Sequence, residues 1–244
     1  MAEGKQTIFK YKKKHFMLFT NKRKDRIPLD IKIDNEKIYE VPKTKFLGIY
    51  IDNKLNWKDH ISYISGKIAR GIGMLIKARK CLDKTTLRNL YYTFIYPYFI
   101  YCNQIWGSTY VSNIYKLTIL QKKMIRIICQ VKPRDHTDPL FKELGIIKVV
   151  NIYNYLIGKF MYRWSNNLLP TMFDDLFIYN RDVHHHHTRQ YLCLYVPVVK
   201  SNLRKMFICY KGAIIWNSLL LSGLSASLTE PVFSSKLKKS ILQL

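Results

Sequence analysis

The sequence predicts an α+β fold, in which a small N-terminal antiparallel β element is followed by a mainly α-helical region. Apolar residues alternate with polar ones up to about residue 52, as they do in half-buried strands. From Trp57 onward they recur at steps of three and four, the spacing of helices that bury one face. Hydrophobic residues make up 48% of the 244 residues, so the chain can bury a core and is not disordered throughout.

Three stretches near the N-terminus are predicted to be extended. Residues 6–20 and 31–41 contain the alternating apolar positions of strands, and Asp34 with Asn35 predicts a turn that makes residues 31–41 a hairpin. Residues 45–52 (KFLGIYID) are predicted to form one further strand. Gly48 in the middle of that strand indicates a bulge or a close approach of the backbone to another group.

The first predicted helix covers residues 57–80 and has an aliphatic stripe along one face. The stripe consists of Ile61, Ile64, Ile68, Ile72 and Leu75. Lys67, Arg70 and Lys77 fall on the opposite face, so a helix about 36 Å long presents cations to its surroundings.

Four other residues of this helix are interpreted as structural. Gly71 and Gly73 interrupt the helical pattern, and they predict close packing against a neighbouring helix. Trp57 and His60 stand where the strands give way to the helix, and we expect both to pack in a core there.

Two more helices are predicted before residue 132. One begins at Asp83 as its N-cap and kinks or stops at Pro97. Its apolar face consists of Leu87, Leu90, Tyr91, Phe94 and Ile95. The other covers residues 112–129 and buries Ile114, Leu117, Leu120, Met124 and Ile128. The residues it turns outward are Lys122, Lys123 and Arg126.

The remainder is predicted to be helical with a long irregular middle. Asp138 and Pro139 open a short helix that ends at Gly145, and a longer helix follows at residues 149–164. Residues 166–180 are predicted to be a loop with a short helical piece, and residues 181–191 are polar and irregular. Residues 191–209 have weak, strand-like alternation. The two closing helices are predicted at residues 213–220 and 234–242.

The charge of the chain is strongly positive. Lys and Arg number 41 against 16 Asp and Glu, which gives a formal net charge of +25. Basic residues interleave with aromatic ones in several runs and line two separate helix faces, which favours binding to nucleic-acid phosphates without base-specific contacts. The alternative is a solvated surface whose Lys content reflects the nucleotide composition of the source genome.

No set of residues predicts a catalytic or metal centre. Phe173, Asp174 and Asp175 hold a pair of carboxylates, but no strand alternation surrounds them, so they are interpreted as a helix start or a solvated loop. Consecutive histidines at 184–187 cannot all face one ion, and we assign them no native metal. The sequence has no glycine-rich phosphate loop and no nucleophile elbow. Its five cysteines are widely spaced and are expected to be reduced.

We expect an intracellular protein that binds neither a membrane nor a small-molecule substrate. The sequence contains no uninterrupted apolar stretch of about 18 residues, the length of a spanning helix. The N-terminus lacks the apolar segment and the small-residue cleavage site of a secretion signal.

Several stretches, taken in order, resemble one protein family. They are KFLGIYIDNKLNWKDHI (45–61), KIARGIGML (67–75), LRNLYYTFIYPYFIYCNQIWG (87–107), LQKKMIRII (120–128), DPLFKELGI (138–146), HTR (187–189) and GAIIWNSL (212–219). Their order and spacing are similar to the C-terminal part of the reverse transcriptases of LINE-like, jockey-type non-LTR retrotransposons. The resemblance covers most of residues 8–240.

The resemblance implies a division of the chain and a set of nucleic-acid contacts. Residues 1–56 correspond to palm-edge strands with the primer grip, residues 57–132 to the helical thumb, and residues 133–244 to a C-terminal α-rich domain. The primer-grip turn is expected at Phe46, Leu47 and Gly48. Contacts to nucleic acid are expected from Lys45, Lys67, Arg70, Lys77, Arg79, Lys80, Lys122, Lys123 and Arg126.

The implied function is that of a truncated RNA-directed DNA polymerase which binds an RNA–DNA hybrid or another duplex in the nucleus. The family's palm aspartates, including its YADD box, have no counterpart before Ile8, so we expect no catalysis by this chain alone. We expect no cofactor in it either, and Mg²⁺ only in the full-length polymerase. The missing polymerase half is a further expected partner. The alternative is a non-catalytic interaction module or a decayed retroelement product without nucleic-acid function.

Overall fold

The computed structural model describes residues 15–19, 29–33, 35–183, 190–224 and 226–243. Its strands are β1 (His15–Phe16), β2 (Ile31–Ile33), β3 (Glu36–Glu40), β4 (Lys43–Phe46) and β5 (Ile49–Asp52). Its helices are α1 (Lys58–Ala78), α2 (Lys84–Phe94), α3 (Tyr96–Ile100), α4 (Asn103–Trp106), α5 (Val111–Ile128), α6 (Asp138–Leu144), α7 (Val149–Ser165), α8 (Asn180–Val183), α9 (Asn202–Lys205), α10 (Ile208–Leu221) and α11 (Glu230–Gln243), with a 3-10 helix at Thr171–Leu176. The predicted α+β class is confirmed.

The chain divides into two compact units, residues 1–60 and residues 61–244, and the boundary falls inside α1. The first unit contains all five strands, and the second contains the rest of α1 and the other helices. The predicted division of the helical part at residue 132 stays a prediction.

The first unit contains a three-stranded sheet in the order β1, β3, β2. β2 and β3 form the predicted antiparallel hairpin, and Asn35 in its turn has a φ of +64°. β1 lies on the other side of β3 and pairs with it in parallel, so this sheet is not antiparallel throughout as predicted. Of the predicted strand over residues 6–20, only residues 15–16 are strand in its described part, and residues 6–14 and 20 lie outside the described residues.

The stretch from residue 45 to residue 52 is not a single strand, and that prediction was wrong. β4 and β5 form an antiparallel hairpin in which Phe46 pairs with Ile49 and the turn consists of Leu47 and Gly48. Both turn residues have positive φ, +45° and +85°, the conformation of tight two-residue hairpin turns, and glycine adopts it without steric cost. Gly48 therefore marks a chain reversal and not a bulge.

One carboxylate organises the loop that leads from β5 into α1. Asp52 accepts hydrogen bonds from the backbone N–H groups of Lys54, Asn56 and Trp57 at 3.0 to 3.1 Å. Leu55 and Trp57 in this loop have φ values of +52° and +63°, which side chains other than glycine adopt at a cost. The three bonds to Asp52 stabilise that strained backbone just before α1 begins.

Trp57 and His60 are buried, at 7% and 2% exposure, as predicted for core positions. Burial lowers the pKa of the His60 imidazole from 6.5 to about 4, because a charged ring is poorly solvated there. His60 is therefore neutral in the folded protein at physiological pH.

His60 should make the free energy of unfolding depend on pH. Above pH 6.5, the ordinary pKa, the ring is mostly neutral in both states. As the pH falls from there towards 4, the unfolded chain takes up a proton that the folded chain excludes, and stability declines by up to about 3 kcal/mol. His60→Leu should remove this part of the pH dependence, as measured by urea unfolding at both ends of the window. If the free energy of unfolding changes between the two pH values by the same amount in His60→Leu as in the unmodified chain, His60 does not titrate in this way.

α7 is the central helix of the second unit and packs against α3, α4, α5, α10 and α11. Large aromatic side chains that are almost fully buried fill this core, among them Trp106, Trp216 and Phe233. Gly158 on α7 permits a close approach, because a Cβ atom there would lie 2.8 Å from the Leu237 side chain of α11. No helix in the described parts of the chain is long and apolar enough to cross a membrane.

The aliphatic stripe predicted for the first helix is confirmed. All five of its residues are exposed by 3% or less. A Cβ atom at Gly71 would come within 2.7 Å of the Ile95 side chain, so the close packing predicted there is correct. Gly73 faces open space, and the same prediction for it was wrong.

α2 and α5 follow the predicted patterns with one clear exception. The Asp83 carboxylate accepts hydrogen bonds from the N–H groups of Thr85 and Thr86 and caps α2 as predicted. Phe94, predicted to be buried, is 52% exposed. It is the last residue of α2, and the next residue, Ile95, is fully buried in the bend towards α3. In α5 the predicted apolar face is buried except for the half-buried Leu120.

The strand-like stretch predicted between residues 191 and 209 contains no strand, and that prediction was wrong. The described residues there form one isolated bridge, between Leu194 and Tyr179, and the short helix α9. Asn217 of α10 takes the place of a strand partner, because its side chain exchanges two 2.8 Å hydrogen bonds with the Leu194 backbone. The predicted end of α6 at Gly145 is confirmed by its φ of +61°.

Candidate nucleic-acid interface

The exposed side of α1 carries the first group of predicted cations. Arg70 and Lys77 are exposed and stand two helical turns apart, about 10 Å along the axis. Lys67 is half-buried, and its ammonium group lies 5.5 Å from the centroid of the Tyr63 ring. Because the aliphatic stripe fixes the opposite side in the core, the sequence forces Arg70 and Lys77 outward, and Lys67 lies at the edge of that outward side. We call Lys67, Arg70 and Lys77 the α1 basic face.

The second group lies near the end of α5. Lys122 and Lys123 are exposed, and Arg126 is half-buried. The Nε of Arg126 donates a 3.0 Å hydrogen bond to the carbonyl oxygen of Asp135, which holds this side chain against the loop after the helix. We call Lys122, Lys123 and Arg126 the α5 basic face.

The ends of α1 and α5 are neighbours. The Nε2 of Gln130, just beyond α5, lies 3.5 Å from the carbonyl oxygen of Arg79, just beyond α1. The structure thus brings the exposed Arg79 and Lys80 close to the end of α5. Lys67 lies farther back, about 15 Å from Lys77 along the axis of α1.

One acidic group, Asp138, partly balances the charge of Lys122 on the α5 basic face. The Lys148 ammonium lies 3.2 Å from the Asp138 carboxylate, and this bond lowers the pKa of Asp138, with a smaller contribution from the charge of Lys122. Among ion pairs formed by the described residues, none includes a cation of either face, but only the α5 basic face has a carboxylate, Asp138, whose pKa responds to one of its charges. The α1 basic face is therefore the stronger candidate for binding an external anion.

The predicted primer-grip residues form the tip of the β4–β5 hairpin in the first unit. Phe46 and Leu47 are 61% and 73% exposed, so two large apolar side chains stand on the surface there. Gly48 completes the turn, and the Lys45 ammonium lies 5.6 Å from the centroid of the Tyr50 ring. The primer-grip role of this tip stays a prediction.

Sequence reasoning missed two cations on α2, Lys84 near the end of α5 and Arg88 one turn further along α2. Lys84 forms an ion pair with Glu143, and this bond raises the pKa of Lys84, as does the neighbouring Cys129 thiol to a smaller extent. The Nε of Arg88 donates a 2.7 Å hydrogen bond to the carbonyl oxygen of Leu144. Lys84 and Arg88 are four residues apart, so both lie on one side of α2, and this spacing could have been recognised in the sequence. Their partners on α6, however, are more than fifty residues away.

The carboxylates of the described residues do not assemble a metal centre. No group of three His, Cys, Asp or Glu side chains in these parts of the chain could hold an ion. Asp174 and Asp175 are exposed on the 3-10 helix, as predicted for a solvated segment, but they do not cap its start, which follows Pro170. These donors do not fit the Mg²⁺ of a two-metal polymerase, and we derive no step through it. The histidines at 184–187 lie outside the described residues.

The chain is similar to RNA-directed DNA polymerases of mobile elements. It is 26% identical over 147 residues, 58% of its length, to the probable RNA-directed DNA polymerase from transposon X-element of Drosophila melanogaster. It is 30% identical over 123 residues, 49% of its length, to the RNA-directed DNA polymerase from mobile element jockey of the same organism. The predicted resemblance to jockey-type reverse transcriptases is confirmed.

The similarity covers a small part of each relative. The matched stretches correspond to 16% of the X-element polymerase and 13% of the jockey polymerase. No family model matches the chain, and no solved structure matches it.

Proposed function

We propose that this chain is a duplex-holding part of a retrotransposon reverse transcriptase, and that it binds an RNA–DNA hybrid through phosphates and not through bases. The proposal assigns binding to these residues and no step of strand synthesis. The rest of the polymerase is its proposed protein partner, and the nucleus is its proposed location.

The α1 basic face carries this proposal. Its three cations follow the outward side of a long helix whose inward side is fixed in the core, and no described carboxylate pairs with them. Hybrid duplexes resemble A-form RNA, whose base edges are hard to read in the deep groove, so proteins hold such helices mainly through phosphates and 2′-hydroxyls. A row of cations on a straight helix suits that kind of contact.

The hairpin tip has a different role in the proposal. Leu47 and Gly48 form a tight turn. Gly48 has no side chain to cover the backbone there, and Phe46 beside it has an exposed ring. Such a tip suits contact with the sugars and bases at the end of a primer strand, where aromatic rings stack without reading sequence.

The affinity for a labelled RNA–DNA hybrid over a series of salt concentrations tests the proposal. We expect binding at low salt, an affinity independent of hybrid sequence, and a logarithmic salt slope of about −3 or steeper, because bound cations release counterions. A flat salt response, or no binding at low salt, would contradict the proposal.

An exposed apolar row on α5 favours a second candidate, a non-catalytic interaction module. Val111, Tyr115 and Ile119 follow one another at steps of four residues and are 81%, 62% and 52% exposed. Contiguous apolar surface of this kind is typical of protein-binding faces. Absence of hybrid binding in the same experiment would favour this candidate.

A further inference from the structure

A small cleft opens between the first turns of α2 and the end of α6. It has a volume of about 360 Å³ and is lined by Lys84, Thr85, Arg88, Lys142, Glu143, Leu144 and Gly145. Three of these side chains are cationic and one is acidic. Glu143 is engaged by Lys84, so Arg88 and Lys142 leave the cleft with a positive excess.

The cations of the cleft are held in position by neutral groups. Besides its bond to Leu144, the Arg88 guanidinium lies 5.1 Å from the centroid of the Tyr92 ring. The Lys142 ammonium donates a 3.3 Å hydrogen bond to the carbonyl oxygen of Gln243, at the end of α11. Both contacts orient a positive charge without neutralising it.

A further cation, Lys238 of α11, is close enough to Arg88 for their charges to repel. Lys238 is half-buried, and its pKa is lowered first by that burial and second by repulsion from the Arg88 charge. Of the ion pairs in the described parts of the chain, none includes Arg88 or Lys238. Two like charges placed together in partly desolvated surroundings are unfavourable unless an anion joins them.

We propose that Arg88, Lys142 and Lys238 form a phosphate-binding site, and that the phosphate is a phosphodiester of the bound nucleic-acid strand. The planar guanidinium can donate two parallel hydrogen bonds to phosphate oxygens, and the two ammonium groups supply further charge-assisted donors. The choice of a phosphodiester over free phosphate rests on the proposed function. Lys84, at the edge of this cleft, interacts with Cys129, which follows α5, so the cleft lies near the end of the helix that carries the α5 basic face.

Thermal unfolding of the full chain in inorganic phosphate, compared with chloride at matched ionic strength, tests the site itself. We expect phosphate to raise the unfolding temperature by roughly 3 °C more than chloride does, since an anion that binds only the folded state stabilises it. Lys238→Met should raise the unfolding temperature in chloride, because it removes a desolvated like charge, and should abolish the phosphate-specific increase. Lys239→Met, at the exposed neighbouring position, should do neither.

Equal effects of phosphate and chloride on the unmodified chain, or a full phosphate response in Lys238→Met, would overturn the site. Hybrid binding by the two variants then identifies the source of the phosphate. Lys238→Met should weaken hybrid binding about fivefold more than Lys239→Met, although both remove one charge. Equal affinities would overturn the phosphodiester assignment. A phosphate-specific shift in a chain that binds no hybrid would overturn the proposed function and leave the phosphate site standing.

Discussion

Reversing the charge of the α1 basic face should weaken binding to an RNA–DNA hybrid by roughly 100-fold at low salt. The triple variant Lys67→Glu, Arg70→Glu, Lys77→Glu removes three cations and places three anions on the same side of α1. None of the three side chains belongs to the buried stripe, so circular dichroism and the unfolding temperature should change little. Fluorescence anisotropy with a labelled hybrid measures the effect.

A matched variant separates the position of the charges from their number. Lys200→Glu, Arg204→Glu, Lys205→Glu changes the net charge by the same amount at three exposed positions near α9. It should weaken binding only a few-fold, through the general field of the protein. If both variants lose affinity equally, net charge and not the α1 basic face explains the binding.

Gln121→Leu should lower the free energy of unfolding by about 4 kcal/mol, because it breaks a buried polar network and leaves its partners unsatisfied. Gln121 is 1% exposed, and its Nε2 donates to the Tyr91 hydroxyl at 3.0 Å and to the Ile147 carbonyl at 2.9 Å. Its Oε1 accepts from the Val149 N–H at 2.7 Å, at the start of α7. The amide thus joins α2, α5 and the first turn of the central helix.

Urea unfolding monitored by circular dichroism measures this loss. Gln130→Leu is the control, because Gln130 is exposed just beyond α5, and its replacement should change stability by less than about 1 kcal/mol. A similarly small change for Gln121→Leu would mean that the three hydrogen bonds do not hold these helices together.

The sequence contained enough information for the helices and their buried sides. The steps of three and four from Ile61 to Leu75 require a helix with one face inside, and Asp83 and Gly145 are strong local signals for a helix start and a helix end. The apolar pattern missed the hairpin at Leu47 and Gly48 because apolar residues continue through the turn without a break, whereas the family resemblance implied a turn there. The stretch near Leu194 was mistaken for a strand because its apolar alternation is strand-like, whereas the structure gives it only one backbone bridge, to Tyr179, and the side chain of Asn217 bonds the Leu194 backbone.

The candidate site was only partly predictable, because local sequence patterns indicate which side chains point outward but not which helices lie next to each other. The outward direction of Arg70, Lys77 and Lys123 follows from the apolar residues opposite them on the same helix. The ends of α1 and α5 are near each other, as the 3.5 Å approach of Gln130 to the Arg79 carbonyl shows, and no local sequence pattern predicts this proximity. The same is true of the cleft at Arg88 and Lys238, whose cations come from helices far apart in the sequence.

One measurement decides whether the α1 basic face contacts phosphates. It is the slope of the logarithm of hybrid affinity against the logarithm of salt concentration, compared between the unmodified chain and the two triple variants. If it does, the α1 variant should show a logarithmic slope shallower by about 3, because each lost phosphate contact removes about one unit, while the control variant keeps the original slope. Identical slopes for the unmodified chain and the α1 variant would show that these cations do not touch the duplex.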